Sequence, residues 1–160
     1  MFVLGENKVR ISQQGIDAIV QREGLKLKAY RCIAGRLTIG IGHTLGVREG
    51  QVITKDIAYA LFREDISPVE HHLNQLNDRL LRKLKQREFD ALVSFIHQIG
   101  LGSFGTSTCR KYILAERPLE QIADEFPKWS YVTDPVTKKK VWSDSVCERH
   151  KSERKQFLGK

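Results

Sequence analysis

The stretch EGLKLKAYRCIAGRLTIGIGHT (23–44) decides the fold, because the period of the chain changes within it. Just before it, Ile16, Ile19 and Val20 recur at helical spacing behind Ser12. A helix is therefore predicted from Ser12 to Arg22, with Ser12 as N-cap and Gly24 as its stop. Glu23 then sits at the C-terminal end of that helix, beside carbonyls that lack partners. Such a position disfavours negative charge on a carboxyl group, the direction a general acid needs near neutral pH. After Gly35 the period becomes two: Leu37, Ile39 and Ile41 alternate with Thr38, Gly40 and Gly42, which predicts a strand with one apolar face and one of small or polar residues. Glycines weaken a strand, so Gly40 and Gly42 imply close passage of a ligand or another backbone.

Outward from this run the chain reads mostly as helix. Thr54 caps a helix whose apolar stripe is Ile57, Ala58, Leu61, Phe62 and Ile66. Pro68 either opens a new helix or kinks a continuing one. Leu73, Leu76, Leu80 and Leu84 extend a helical period to about residue 84, as expected of a connector between two lobes. Phe89, Leu92, Val93 and Ile96 mark the most apolar helix, the expected centre of the second lobe, stopped by GLGSFG (100–105). Short helices follow, from Thr106 or Ser107 to about Leu114 and from Pro118 to about Phe126. TDPVTKKK (133–140) reads as an exposed turn or flap. A last helix begins near Ser143, with Asp144 in its first turn and Arg149, Lys151, Arg154 and Lys155 later, charges that complement the helix dipole.

At 160 residues the chain suits one domain. Its lobes are expected at about 12–67 and 85–160, joined by the connector at 68–84. A net charge of +8 predicts attraction to polyanions, whether nucleic acid, acidic lipid or bacterial envelope polymers. Cys32, Cys109 and Cys147 are three widely spaced cysteines with no C-x-x-C pair, a pattern of neither a disulfide framework nor a zinc site. A reducing cytoplasm fits them, and no metal or organic cofactor is expected. The apolar start, MFVL (1–4), is too short for a signal peptide, and no run approaches the length of a membrane span.

The residues of the opening stretch resemble the phage endolysins of glycoside hydrolase family 24, which include the T-even and lambdoid muramidases. The family pattern is a Glu, eight residues, an Asp or Cys, five residues and a Thr, running on into TIGxGHT. Glu23, Cys32 and Thr38 fall on it in order, and TIGIGHT (38–44) completes it. VITKDIAYALFREDI (52–66) is similar to the family's second helix, and SFIHQIGLGSFGTST (94–108) to its core motif. EFPKW (125–129) and ERHKSE (148–153) match more loosely, with His150 where a second Arg is common. The resemblance implies an α+β, mostly helical, lysozyme-like fold of two lobes, with a small antiparallel sheet in the first and a cleft between them. It implies hydrolysis of the β-1,4 bond between N-acetylmuramic acid and N-acetylglucosamine in peptidoglycan, for host lysis. The protein would be a monomer that waits in the host cytoplasm and leaves through a holin-type pore.

By the same resemblance, Glu23 would protonate the leaving glycosidic oxygen, and Cys32 and Thr38 would serve the attacking water. A thiol ionises less readily than a carboxylic acid, so Cys32 as base, water-positioner or transient nucleophile all stay open. Gln98, Gly100, Phe104 and Thr106 would line the substrate cleft, and Arg149 would approach Glu23. His43 invites a cysteine–histidine nucleophile, but a structural role paired with Asp65 is the better reading, because buried polar groups find partners. Each residue also has an ordinary reading: Glu23 a surface carboxylate, Cys32 a small buried hydrophobe, Thr38 a strand former, Arg149 part of a solvated basic face. Two other functions compete with the enzyme. A catalytically degenerate scaffold would bind peptidoglycan or another protein, and the Cys in place of Asp favours it; a nucleic-acid-binding domain has only charge in its support, so no nucleic acid is expected as a partner.

Overall fold

The computed structural model describes residues 8–160, so the apolar start at 1–4 lies outside the described residues. Helix α1 (Gln13–Glu23) begins where the sequence places it, with the Ser12 hydroxyl accepting from the Gly15 amide at 3.1 Å. An N-cap of this kind is worth about 1 kcal/mol. At the other end Gly24 takes a φ of 77° and donates its amide to the Val20 carbonyl, which turns the chain out of the helix directly after Glu23.

Strands β1 (Lys26–Arg31) and β2 (Leu37–Gly40) form an antiparallel hairpin in which Tyr30 faces Thr38 and Arg31 faces Leu37. Residues 51–53 lie along the outer edge of β1, where Ile53 donates to the Leu27 carbonyl and Ala29 to that of Gln51. Behind this small sheet is a separate cluster of three buried residues, Ile39, Ile53 and Ala58. Gly40 allows the sheet to meet the next helix, since a Cβ there would lie 3.3 Å from that of Ala58. The close approach expected at Gly40 is thus made by a helix and not by a ligand.

Helix α2 (Lys55–Asp78) is one helix that runs through Pro68. It corrects the connector expected at 68–84, because the chain leaves the helix after Asp78 even though the leucine period continues. The cause is Lys83, whose ammonium donates to the carbonyls of Asn77, Asp78 and Leu80 at 2.8–3.1 Å and so supplies donors the helix end lacks. Asn77 in turn accepts from the Leu84 amide at 2.8 Å, and Leu80 still reaches the core from the loop.

Helix α3 (Gln86–Ile99) is the centre of the main core: Phe89, Ala91, Leu92, Val93, Phe95 and Ile96 are all fully buried. Each large apolar side chain buried this way stabilises the fold by about 1.5–3 kcal/mol. Gly100 stops α3, but the residues after it, expected only to end that helix, do not form a loop. Leu101–Thr106 forms a short helix, α4, which inserts Phe104 into the core. Helices α5 (Thr108–Leu114) and α6 (Leu119–Ala123) and a 3-10 turn (Phe126–Trp129) wrap the core from outside. Phe126 stacks on Phe95 at 4.5 Å between ring centres.

The region read as a flap is a second antiparallel hairpin, β3 (Tyr131–Thr133) and β4 (Lys140–Trp142). Its turn meets the first hairpin, for a Cβ on Gly35 would lie 2.9 Å from that of Pro135. Helix α7 (Asp144–Leu158), capped by Ser143, packs along α3 and completes the fold. The architecture is α+β and mostly helical, with one small antiparallel sheet in the first lobe and a second in the lobe expected to be helical throughout. Among the described residues no helix is long and apolar enough to cross a membrane.

Candidate active site

A cleft of about 900 Å³ opens between the first hairpin and the helical lobe, and Glu23, Cys32, Thr38, Gln98 and Arg149 all line it. Five residues singled out in the sequence thus meet in one place, although up to 126 positions separate them.

The acid side of this cleft is assembled from three helices. Within the apolar α3, Asp90, Ser94 and His97 recur at helical spacing and form a polar stripe that faces α1 and α7. Asp90 accepts from the amide and the hydroxyl of Ser12, and a Cβ on Gly15 would press on its carboxyl at 2.7 Å, so Gly15 is what lets α1 lie so close. One turn on, Ser94 receives Arg22 Nη1 at 3.2 Å and donates to Glu153 Oε1 at 2.6 Å. A further turn brings His97 to the foot of the cleft beside Glu23.

Glu23 is mostly buried, and Arg149 Nη2 lies 2.6 Å from its Oε1, as an ion pair whose angle falls short of a directed hydrogen bond. Arg149 is itself oriented by Glu153, whose Oε1 lies 3.4 Å from Nε. Glu153 is fully buried and also bonds His150 Nδ1 at 2.6 Å. Burial works to raise its carboxyl, but the His150 hydrogen bond and charge, Arg149 and the Ser94 hydroxyl together outweigh it, and Glu153 lies below its ordinary value. A buried anion therefore holds the cation that touches Glu23. The Glu23 carboxyl thus lies between the C-terminal end of α1 and the Arg149 guanidinium.

Gly42 fits against this carboxyl. A Cβ there would lie 3.1 Å from Glu23 Cδ and 3.2 Å from His97 Nε2, and the glycine's φ of 75° is strained for any other residue. The approach expected at Gly42 is made by the side chains of Glu23 and His97. Burial pushes the His97 imidazole below its usual value, more than the Glu23 carboxylate raises it, so a neutral ring stands beside the acid at neutral pH.

Cys32 and Thr38 occupy the hairpin side. Cys32 follows β1 directly, with its amide donating to the Arg36 carbonyl at 2.9 Å, and is half-buried. Thr38 is almost fully buried and donates its hydroxyl to the Arg36 carbonyl at 3.0 Å, which leaves its lone pairs free to accept from a water. Tyr30, opposite Thr38, lines the cleft with Lys26 Nζ 4.0 Å above its ring. Burial, and then the charges of Glu23 and Cys32, hold its phenol above its usual value, so it stays a neutral donor.

His43 stands away from the chemistry: its Nδ1 lies 2.9 Å from Asp65 Oδ2 and its Nε2 2.8 Å from the Leu45 carbonyl, tying the 41–54 loop to α2. Gly100, Phe104 and Thr106 correct the expected cleft lining. Phe104 is fully buried against His72, and Gly100 and Thr106 are exposed but not among the residues around the cleft. The residues not anticipated are His97, Tyr30, Arg22, Glu153 and the strand Tyr131–Thr133, which walls the far side. For His97 and Glu153 a signal existed: a polar stripe in an otherwise apolar helix and an acid in the buried period of α7.

The model of the phage lysozyme family matches residues 8–153. An endolysin of Acyrthosiphon pisum secondary endosymbiont phage 1 is 38% identical over 93% of this chain and 98% of its own length. Among solved structures, an endolysin from Escherichia coli O157:H7 phage FAHEc1 superposes with a TM-score of 0.77 at 34% identity, covering 94% of each chain. A mutant of P22 lysozyme gives 0.71 at 32%, covering 94% of this chain and 99% of its own. The sequence motif, the two-lobe fold and these likenesses agree, and the chain belongs to the phage lysozyme family.

Proposed function

We propose that this chain is an endolysin that hydrolyses the β-1,4 bond between N-acetylmuramic acid and N-acetylglucosamine in peptidoglycan, by the chemistry of glycoside hydrolase family 24. The observation that carries the reading is the pairing of Glu23, at the end of α1, with Arg149 on one wall of a cleft whose other wall holds Cys32 and Thr38. Family membership and two endolysin relatives matched over almost their whole length favour an enzyme over a degenerate scaffold.

Glu23 gives its proton to the leaving glycosidic oxygen as the C1–O bond breaks. A water, donating to Thr38 Oγ1 and to Cys32 Sγ, adds to C1 from the other side, and its proton passes through the thiol to solvent. Glu23 regains a proton from solvent, so one water is consumed per bond. Arg149, held by Glu153, steadies the carboxylate left after proton transfer. Before lysis the protein waits in the host cytoplasm as a monomer, its three thiols free, and a holin-type pore releases it.

Product analysis tests the bond assignment. Digested sacculi reduced with borohydride should yield muramitol, from new N-acetylmuramic acid reducing ends; glucosaminitol instead would overturn it.

A further inference from the structure

The second hairpin carries a feature that the chemistry of the cleft leaves unused. Tyr131 and Trp142 are cross-strand partners, so they share one face of the hairpin, with ring centres 5.3 Å apart at 82°. They remain 56% and 47% exposed, and Trp142 Nε1 donates to Asp144 Oδ1 at 3.0 Å, which ties down the one polar atom of the indole and fixes its plane. An exposed aromatic pair held in a fixed geometry offers a flat, amphipathic surface to a ligand. By the alternation of the strands, Lys140 and Thr133 point to the same side, and Lys138 and Lys139 follow in the turn.

Two observations name the occupant. Tyr131 and Thr133 also line the catalytic cleft, so the platform continues it without a break. The lysines add positive charge where the strand leaves the cleft. A glycan has apolar C–H faces that lie on aromatic rings, and peptidoglycan carries peptide stems with free carboxylates. We propose that the Tyr131–Trp142 platform is an additional subsite for the peptidoglycan strand: the aromatic pair takes a sugar ring beyond the cleaved bond, and Lys138, Lys139 and Lys140 take the carboxylates of its peptide stem. This rests on the muramidase reading of the cleft and extends it to the substrate outside.

The test is co-sedimentation of the full chain, carrying Glu23→Gln to prevent digestion, with purified sacculi and in parallel with chitin, which has the sugar but no stem. Trp142→Ala should weaken binding to both polymers about tenfold, and Trp142→Phe should retain most of it. Replacing Lys138, Lys139 and Lys140 by Gln should weaken binding to sacculi alone, and that loss should shrink as salt is raised. Folded Trp142→Ala protein that binds both polymers like its parent overturns the subsite. Equal loss on chitin and sacculi in the lysine variant overturns the assignment of the stem. If the chain with Glu23 intact releases no reducing ends from sacculi, the muramidase reading fails instead, and the binding arm still decides for or against the hairpin.

Discussion

On one wall of the cleft Glu23 and Arg149 rise from helices whose other faces make the main core, whereas on the other wall Cys32 and Thr38 stand on a hairpin backed by three buried residues. The acid is held by a chain of buried polar contacts through Glu153, Ser94 and Arg22; the water side is held mainly by backbone bonds of a tight turn. The difference separates stability from chemistry. Substitutions in the buried network behind the helical wall should cost both, and those on the hairpin should cost activity with little effect on folding.

The largest effect is expected at Glu153. Glu153→Ala strands Arg149 and His150 as buried cations or orphaned donors, and loss of one partner of a buried ion pair typically costs about 3–5 kcal/mol. Urea unfolding should report this, and lysis should fall with it; a loss below about 1 kcal/mol would be that of a surface pair and would deny Glu153 its place in the network. The pH dependence has a definite sign. Because the Glu153 carboxyl lies below its ordinary value in the fold, its contribution is complete above the unfolded value of about 4.3 and is lost as pH falls through the lower folded value. Glu153→Gln should therefore be less stable at neutral pH and less sensitive to acid than the parent.

Gly42→Ala tests how closely the two walls meet. The new methyl group faces the Glu23 carboxyl and the His97 ring, on a residue held at positive φ, a strain of about 1–3 kcal/mol, and activity should drop further than the lost stability explains. Unchanged activity would mean that the carboxyl does not depend on this contact. His43→Ala should show the opposite balance, with a lower melting temperature from two lost hydrogen bonds, about 1–3 kcal/mol, and nearly normal activity per folded molecule. A greater loss of activity than of stability would return His43 to the chemistry.

How far the sequence reveals these walls follows from the range of the contacts. The hairpin wall and the end of α1 lie within one local run, where a cap, a glycine stop and a change of period can be read directly. The His43–Asp65 pair spans 22 positions and was legible only because a buried histidine needs a partner. The Arg149–Glu23 contact was expected from the family resemblance alone, and contacts such as Ser94 to Glu153 leave no spacing to read, so the network behind the acid stayed hidden. The second hairpin was missed because its three-residue strands are too short to show a period, and α2 was misjudged because Lys83, not the leucine pattern, sets its end.

The smallest effect on folding is expected at Cys32. Cys32→Asp and Cys32→Ser should each stay within about 0.5 kcal/mol of the parent, as for a site outside the core. Cys32→Asp should lyse walls and Cys32→Ser should be impaired, since a hydroxyl is far less acidic than a thiol. Alkylation should reach Cys32 first, because Cys109 and Cys147 are buried and burial pushes the Cys109 thiol up, away from its reactive form. Equal activity of folded Cys, Ser and Ala forms would leave Cys32 as packing alone.

The most direct measurement is lysis of purified walls by Glu23→Gln beside its thermal unfolding. The amide keeps the size of the acid but has no proton to give the leaving oxygen, so activity should fall by about 10²–10⁴-fold while the protein stays folded. A folded Glu23→Gln protein that still clears walls at close to the parent rate would contradict the account.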